Sequence, residues 1–182
     1  KEKGNLIFNT ALDIFTNEKV VFFGGFALNL YARYLNTTCR ECEYNPDFDI
    51  LSINPRKTAL KLREALKFVL STNNVSISSV VSFSSSNTEY ITIAKRYGLG
   101  EIIAKHYEVR VGKETIAFIY ESMACHSYNE IKYNNNKLRI ATIDTMLSLY
   151  LGFLYVDRPY YNHKRISCMA DFLFKVQAKN RL

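Results

Sequence analysis

The chain has 182 residues, 48% of them hydrophobic and 23% charged, which suits one core-bearing domain or one domain with a small appendage. A formal charge of +7 and a pI near 9.2 favour a polyanionic partner, nucleic acid ahead of an anionic membrane surface. No apolar run reaches the roughly 18 residues a membrane span needs, no signal-peptide pattern is read at the start, and four cysteines are too few for a disulfide framework. A reducing compartment and no membrane contact are the resulting expectations.

In chain order, residues 5–15 place Leu6, Ile7, Ala11, Leu12, Ile14 and Phe15 at helical spacing. Residues 20–23, Val-Val-Phe-Phe, are too short and apolar for anything but a buried strand. Gly24-Gly25 forms a turn after it, and residues 26–35 read as a helix. Glycine permits backbone angles and close approaches that a side chain forbids. Strand, glycine turn and helix start together offer an anion site, since unpaired backbone N–H groups and the helix dipole meet there.

Residues 36–45 form a polar loop carrying Cys39 and Cys42, which with Cys125 and His126 make a candidate zinc set lacking the usual second spacing. Residues 47–52 alternate, so Asp47 and Asp49 share one face of a strand about 6.5–7 Å apart. Two carboxylates so placed suit divalent metal ions about 3.5–4 Å from each other. The alternative reading is a turn at Pro46-Asp47 and an exposed charge at Asp49.

Asn54 caps a helix with Pro55 at its first position, running to about residue 70. Arg56, Lys57, Lys61, Arg63 and Lys67 lie off its buried face, as a nucleic-acid track or a solvated surface. Residues 71–87 read as a short strand in Ser/Asn-rich surroundings, and 90–103 are ambiguous, broken by Gly98 and Gly100. Residues 106–111 and 115–121 read as a hairpin across Gly112-Lys113. Either Glu108 or Glu121 then stands on the open face beside the Asp pair. Residues 132–137 read as a polar loop, 138–155 as a strongly apolar helix, and 163–178 as a final helix whose basic side holds Lys164, Arg165, Lys175 and Lys179.

The order of these elements, with a Gly-Gly turn followed by D-x-D on the next strand, resembles the nucleotidyltransferase fold of DNA polymerase β, poly(A) polymerases and CCA-adding enzymes. The segments Gly24-Gly25-Phe26-Ala27-Leu28-Asn29-Leu30-Tyr31, Phe118-Ile119-Tyr120-Glu121 with Ala124-Cys125-His126-Ser127-Tyr128-Asn129, and Ile140-Ala141-Thr142-Ile143-Asp144-Thr145-Met146-Leu147-Ser148 resemble the poly(A) polymerase catalytic subunits of large nucleocytoplasmic DNA viruses, the mimivirus-like branch especially.

The resemblance implies an α+β nucleotidyltransferase domain over residues 1–137, with a small mixed sheet flanked by helices, followed by a helical segment over 138–182. It implies template-independent addition of AMP from ATP to an RNA 3′ end, with Mg²⁺ or Mn²⁺ held by Asp47 and Asp49. The metals would activate the primer hydroxyl and neutralise the leaving pyrophosphate. Gly24, Gly25 and Phe26 would contact the triphosphate through the backbone. A second copy or a processivity subunit joins RNA and ATP among the expected partners, and the host cytoplasm, viral factory or virion is the expected place. The first residues, Lys1-Glu2-Lys3, and the helical pattern running to Leu182 give the expectation of a larger protein.

The sequence departs from the family in three ways. The stretch from Gly25 to Asp47 is long, Phe26-Ala27 replaces the usual serine after the turn, and Ile116-Ala117-Phe118-Ile119 lacks the third acid. Glu121 or Glu108 takes that acid's place, or the ligand is absent. The last case gives the alternative reading: an inactive nucleotidyltransferase-like subunit that binds RNA or scaffolds an active partner. A small-substrate nucleotidyltransferase differs only in its acceptor.

Overall fold

The computed structural model describes residues 2–35, 47–72, 90–156, 158–159 and 161–180. Helix α1 (Glu2–Asn17) leads into β1 (Val21–Phe23), then α2 (Gly24–Ala32), β2 (Phe48–Ser52) and α3 (Pro55–Thr72). Three strands follow, β3 (Ile91–Arg96), β4 (His106–Val111) and β5 (Glu114–Glu121), then a hairpin of β6 (Tyr128–Tyr133) and β7 (Asn136–Ala141). Helices α4 (Ile143–Val156) and α5 (His163–Asn180) complete the order.

The seven strands form one mixed sheet in the order β3-β4-β5-β2-β1-β7-β6. Strand β2 runs antiparallel to β1 and parallel to β5, and β7 runs parallel to β1. The centre is therefore the apolar β1 and the acid-bearing β2. Alternation along these strands separates two faces. Phe22 and Phe48 turn to α1, where Phe48 stacks on Phe8 at 4.9 Å and meets Phe15 edge-on at 5.4 Å. Phe23 turns the other way and reaches Phe153 of α4 at 6.3 Å. Helices α1 and α3 pack together on the first side, while α4 pairs with α5, which also meets α2.

Most elements form where the sequence places them. The Asn54 cap is real: Lys57 donates its backbone N–H to Asn54 Oδ1 at 3.1 Å. Several readings need correction. The helix expected over 138–155 begins only at Ile143, because residues 136–141 form β7 and give β1 its second partner. The expected loop over 132–137 is the turn and inner residues of the β6–β7 hairpin, paired from Tyr128↔Ala141 to Tyr133↔Asn136. Tyr31 secures this outer part of the sheet, donating its hydroxyl to Ala141 O at 2.8 Å and accepting from Asn129 Nδ2 at 3.0 Å.

The ambiguous stretch contains β3, which pairs with β4 at one edge of the sheet. Helix α2 includes both glycines, starting two residues earlier than expected. The basic face of α3 is largely paired, with Lys61 on Glu18 and both Arg63 and Lys67 on Glu64. Cys39, Cys42 and the expected short strand beyond Thr72 lie outside the described residues. Among the described residues, no helix is long and apolar enough to cross a membrane.

Candidate active site

A cavity of about 420 Å³ opens on the α4–α5 side of the sheet. Its floor comes from cross-strand register. Phe23 pairs with Asp49, Asp49 with Phe118, Phe118 with Glu108, and Glu108 with Ala94, one row across five strands. Gly24, Asp47, Asp49 and Glu108 all line the cavity.

Gly24 and Asp49 are in direct contact. Gly24 has φ +71, and a Cβ there would overlap Asp49 Oδ2 and stand 2.7 Å from the acid's Cβ and Cγ. The glycine thus leaves the space the carboxylate fills, as well as accepting a left-handed backbone. Phe23, the residue capping α2, is extended at φ −141 and supplies no side-chain hydrogen bond to the helix start. Gly25 is buried, and the Phe26 ring packs into the aromatic core against Phe48 at 5.1 Å and Tyr133 at 5.6 Å. Of the three residues expected at the triphosphate, Gly24 is in the cavity wall, while Gly25 and Phe26 are not among the described residues that line it.

Electrostatics single out the Asp pair. Burial first, then the charge of Asp47, pushes Asp49 well above the ordinary carboxylate range, against the opposing effect of Arg165. Asp47 is also raised, by burial first and by Glu108, with Arg165 again opposing. Two half-buried carboxylates that repel each other in this way favour a shared cation. Their hard oxygen donors suit Mg²⁺ or Mn²⁺. Mg²⁺ commonly takes one or two carboxylates and fills its shell with water and substrate phosphates, so the pair is enough. Among the described residues no group of three or more His, Cys, Asp or Glu is arranged to hold a metal ion. A second observation points to an occupant: Tyr150 Oη is buried among the cavity's lining residues with no hydrogen-bond partner among the described residues. Burial, then the nearby charge of Asp49, pushes that hydroxyl well above its ordinary value.

The two glutamates part company. Glu121 is absent from the cavity wall among the described residues and forms an ion pair with Lys105 at 2.8 Å. Alternation along β5 turns it away from Phe118 and Tyr120, which do line the cavity. Glu108 is in the wall, but two strands from Asp49, roughly 9.5 Å at the usual strand spacing.

Comparison with known proteins adds the fold. No family model matches the chain, and no curated protein matches it significantly. The crystal structure of the Megavirus polyadenylate synthase matches at 14% identity with a TM-score of 0.68, covering 95% of this chain and 34% of that one. The chain has the nucleotidyltransferase fold. It spans about a third of the Megavirus protein's length. ANT(2″)-Ia is more distant, with a TM-score of 0.42 and 13% identity for its complex with adenylyl-2″-tobramycin, over 94% of this chain and 91% of that one. Its solution structure, described as an antibiotic-resistance factor, gives 0.45 at 13% identity, over 100% and 93%.

Around the cavity floor stand residues that sequence reasoning did not assign to the site. Arg165 belongs to a basic first turn of α5, His163-Lys164-Arg165, with no acid there. Cations at a helix N-terminus oppose its dipole, and that unfavourable placement was the readable signal. Asn162 caps this helix, its Oδ1 accepting the Arg165 backbone N–H at 2.9 Å. His106 stacks on Tyr120 at 4.3 Å, and burial holds its imidazole below the usual value, hence neutral at pH 7. Phe153 lies 5.9 Å from Tyr120 and 4.7 Å from Tyr161, making one wall aromatic.

Proposed function

We propose that this chain carries the active centre of a metal-dependent nucleotidyltransferase that adds AMP from ATP to an RNA 3′ end. The observation that carries the reading is the Asp47–Asp49 pair, half-buried in the cavity wall with the Asp49 carboxylate seated where Gly24 has no side chain. Asp47 and Asp49 would hold Mg²⁺ or Mn²⁺, which when bound lowers the pKa of an attacking hydroxyl and neutralises charge on the phosphates. Asp49 is held in place by β2, and Arg165 moderates the repulsion between the two acids. The Tyr120–Phe153–Tyr161 wall offers a purine a stacking surface, and Tyr150 Oη offers it or its ribose a hydrogen bond.

Charge favours RNA over a cationic small acceptor. Arg96, Arg110 and Arg165 on the wall balance Asp47, Asp49 and Glu108 before any metal binds. With divalent metal the cavity is positive, which attracts a polyanion and repels a polyamine. Incubation with ATP, Mn²⁺ and a short RNA primer should give 3′ extension, and Asp49→Ala should reduce it at least a thousandfold. Full extension by Asp49→Ala, or transfer to an aminoglycoside in place of RNA, would sink the reading.

One observation favours the non-catalytic alternative: Phe118 occupies the register position beside Asp49. An inactive RNA-binding subunit would bind RNA equally well with and without Asp49 and would bind no Mn²⁺ there. Titration of Mn²⁺ into wild type and Asp49→Ala separates the two.

A further inference from the structure

Glu108 is a fully engaged acid in the cavity wall. Its side chain is only 2% exposed. Oε2 accepts Arg96 Nη2 at 2.6 Å and Arg96 Nε at 3.1 Å. Oε1 accepts Arg110 Nε at 2.5 Å and Thr115 Oγ1 at 2.8 Å. A carboxylate offers about four lone-pair sites, and these four donors use them all. Burial pushes the Glu108 carboxyl up, but the three partners outweigh it and hold it below its ordinary value. A metal ion could bind Glu108 only by displacing one of these donors.

The arginines are arranged differently from the acid they share. Arg96 and Arg110 side chains are 45% and 42% exposed, and both line the cavity. Each guanidinium has five N–H donors in a rigid fork, so pairing with Glu108 leaves donors on each. Two cations against one carboxylate leave a residual positive charge. The sheet register shifts between Val109 and Arg110, a local irregularity of the kind that re-aims a side chain. An ion triad kept only for stability has a weak rationale, because well-packed apolar residues do as well in its place.

We infer that Arg96 and Arg110 form a phosphate clamp for the substrate, and that Glu108 is its positioning residue and not a third metal ligand. The inference rests on the nucleotidyl-transfer reading of the cavity. The phosphate oxygens come from the ATP triphosphate or from the RNA backbone, and both present the geometry a guanidinium fork matches.

Equilibrium binding tests this without turnover. Mn²⁺ affinity, binding of a fluorescent ATP analogue with Mn²⁺, and anisotropy of a labelled RNA oligonucleotide across a salt series are measured. The proteins are wild type, Asp49→Ala, Glu108→Gln, Arg96→Gln and Arg110→Gln. Glu108→Gln should keep Mn²⁺ affinity within twofold, while Asp49→Ala loses at least tenfold. All three clamp variants should weaken the same phosphate ligand at least fivefold. If that ligand is RNA, each arginine substitution also makes the slope of log K against log salt shallower by about 1. If it is the triphosphate, ATP-analogue binding falls and the RNA slope stays. Loss of Mn²⁺ binding in Glu108→Gln to the extent seen in Asp49→Ala would overturn the assignment, as would unchanged ATP and RNA binding in both arginine variants. Unchanged Mn²⁺ binding in Asp49→Ala would instead remove the nucleotidyl-transfer reading beneath it. Removing either arginine leaves the buried Glu108 short of a partner, so melting curves check all three clamp variants, and binding is measured at a temperature where each is folded.

Discussion

At position 24 two requirements coincide, a left-handed backbone and the room occupied by the Asp49 carboxylate. Alanine there adds about 1–2 kcal/mol of backbone strain and forces the Asp49 carboxylate to move. Gly24→Ala should therefore lower the unfolding free energy by about 2 kcal/mol and weaken Mn²⁺ binding at least tenfold. Urea unfolding and Mn²⁺ titration check the two effects. Gly4 in α1 is the control, since nothing lies within 4 Å of a Cβ there. Gly4→Ala should stabilise slightly, by up to about 1 kcal/mol, through helix propensity alone. Equal effects of the two substitutions would mean that the Gly24–Asp49 contact contributes nothing. Tyr150 and Arg165 illustrate what single residues conceal. The first reads as one more position of an apolar helical stripe and the second as part of a basic face, and only folding brings both to Asp49.

Strand β2 joins core and site, since Phe48 faces one way and Asp49 the other. Phe48 is 0% exposed and meets four rings, those of Phe8, Phe15, Phe22 and Phe26, at centroid distances from 4.9 to 5.9 Å. Phe48→Ala should cost about 3–5 kcal/mol and shift the urea midpoint accordingly, whereas Phe48→Leu should cost markedly less. A small shift for the alanine variant would mean that the sheet collapses onto the space. Elements such as β2, β4 and β5 were legible because one buried and one mixed face impose period-two alternation. Strand β7 was not, because Leu138, Ile140 and Ala141 run straight into Ile143, Met146 and Leu147 with a compatible helical spacing. What makes it a strand is its parallel partner β1, more than a hundred residues earlier in the chain. The same limit governed the third acid. Alternation alone gives Glu108 and Glu121 equal standing, and the register Asp49↔Phe118↔Glu108 decides which one joins the cavity wall.

For the molecule as a whole, the acid pair sets function against stability. Folding raises the pKa of Asp49 and Asp47, chiefly by burial, so the folded state holds their protons more tightly than the unfolded chain. That contribution is fully present below the unfolded value of about 4. It is lost as pH rises through the raised folded values, above which the ionised pair burdens the fold. Two other groups act differently. Glu108, held low, contributes stability above the unfolded glutamate value and changes little from pH 5 upward. His106, also held low, makes stability rise with pH until about 6.5 and then level off. Absolute stability therefore mixes opposite slopes, and a difference between variants isolates the acid. Asp49→Asn keeps the shape without the charge. In chelator, its melting temperature relative to wild type should climb as pH rises above the ordinary carboxylate value of about 4 and through the raised folded one. Saturating Mn²⁺ should reverse the order, since only the wild-type pair gains from binding. Calorimetry across that pH range, with and without Mn²⁺, measures both. A difference that is flat with pH and indifferent to Mn²⁺ would mean that the two carboxylates are not strained against each other, and the case for a shared cation would fall with it.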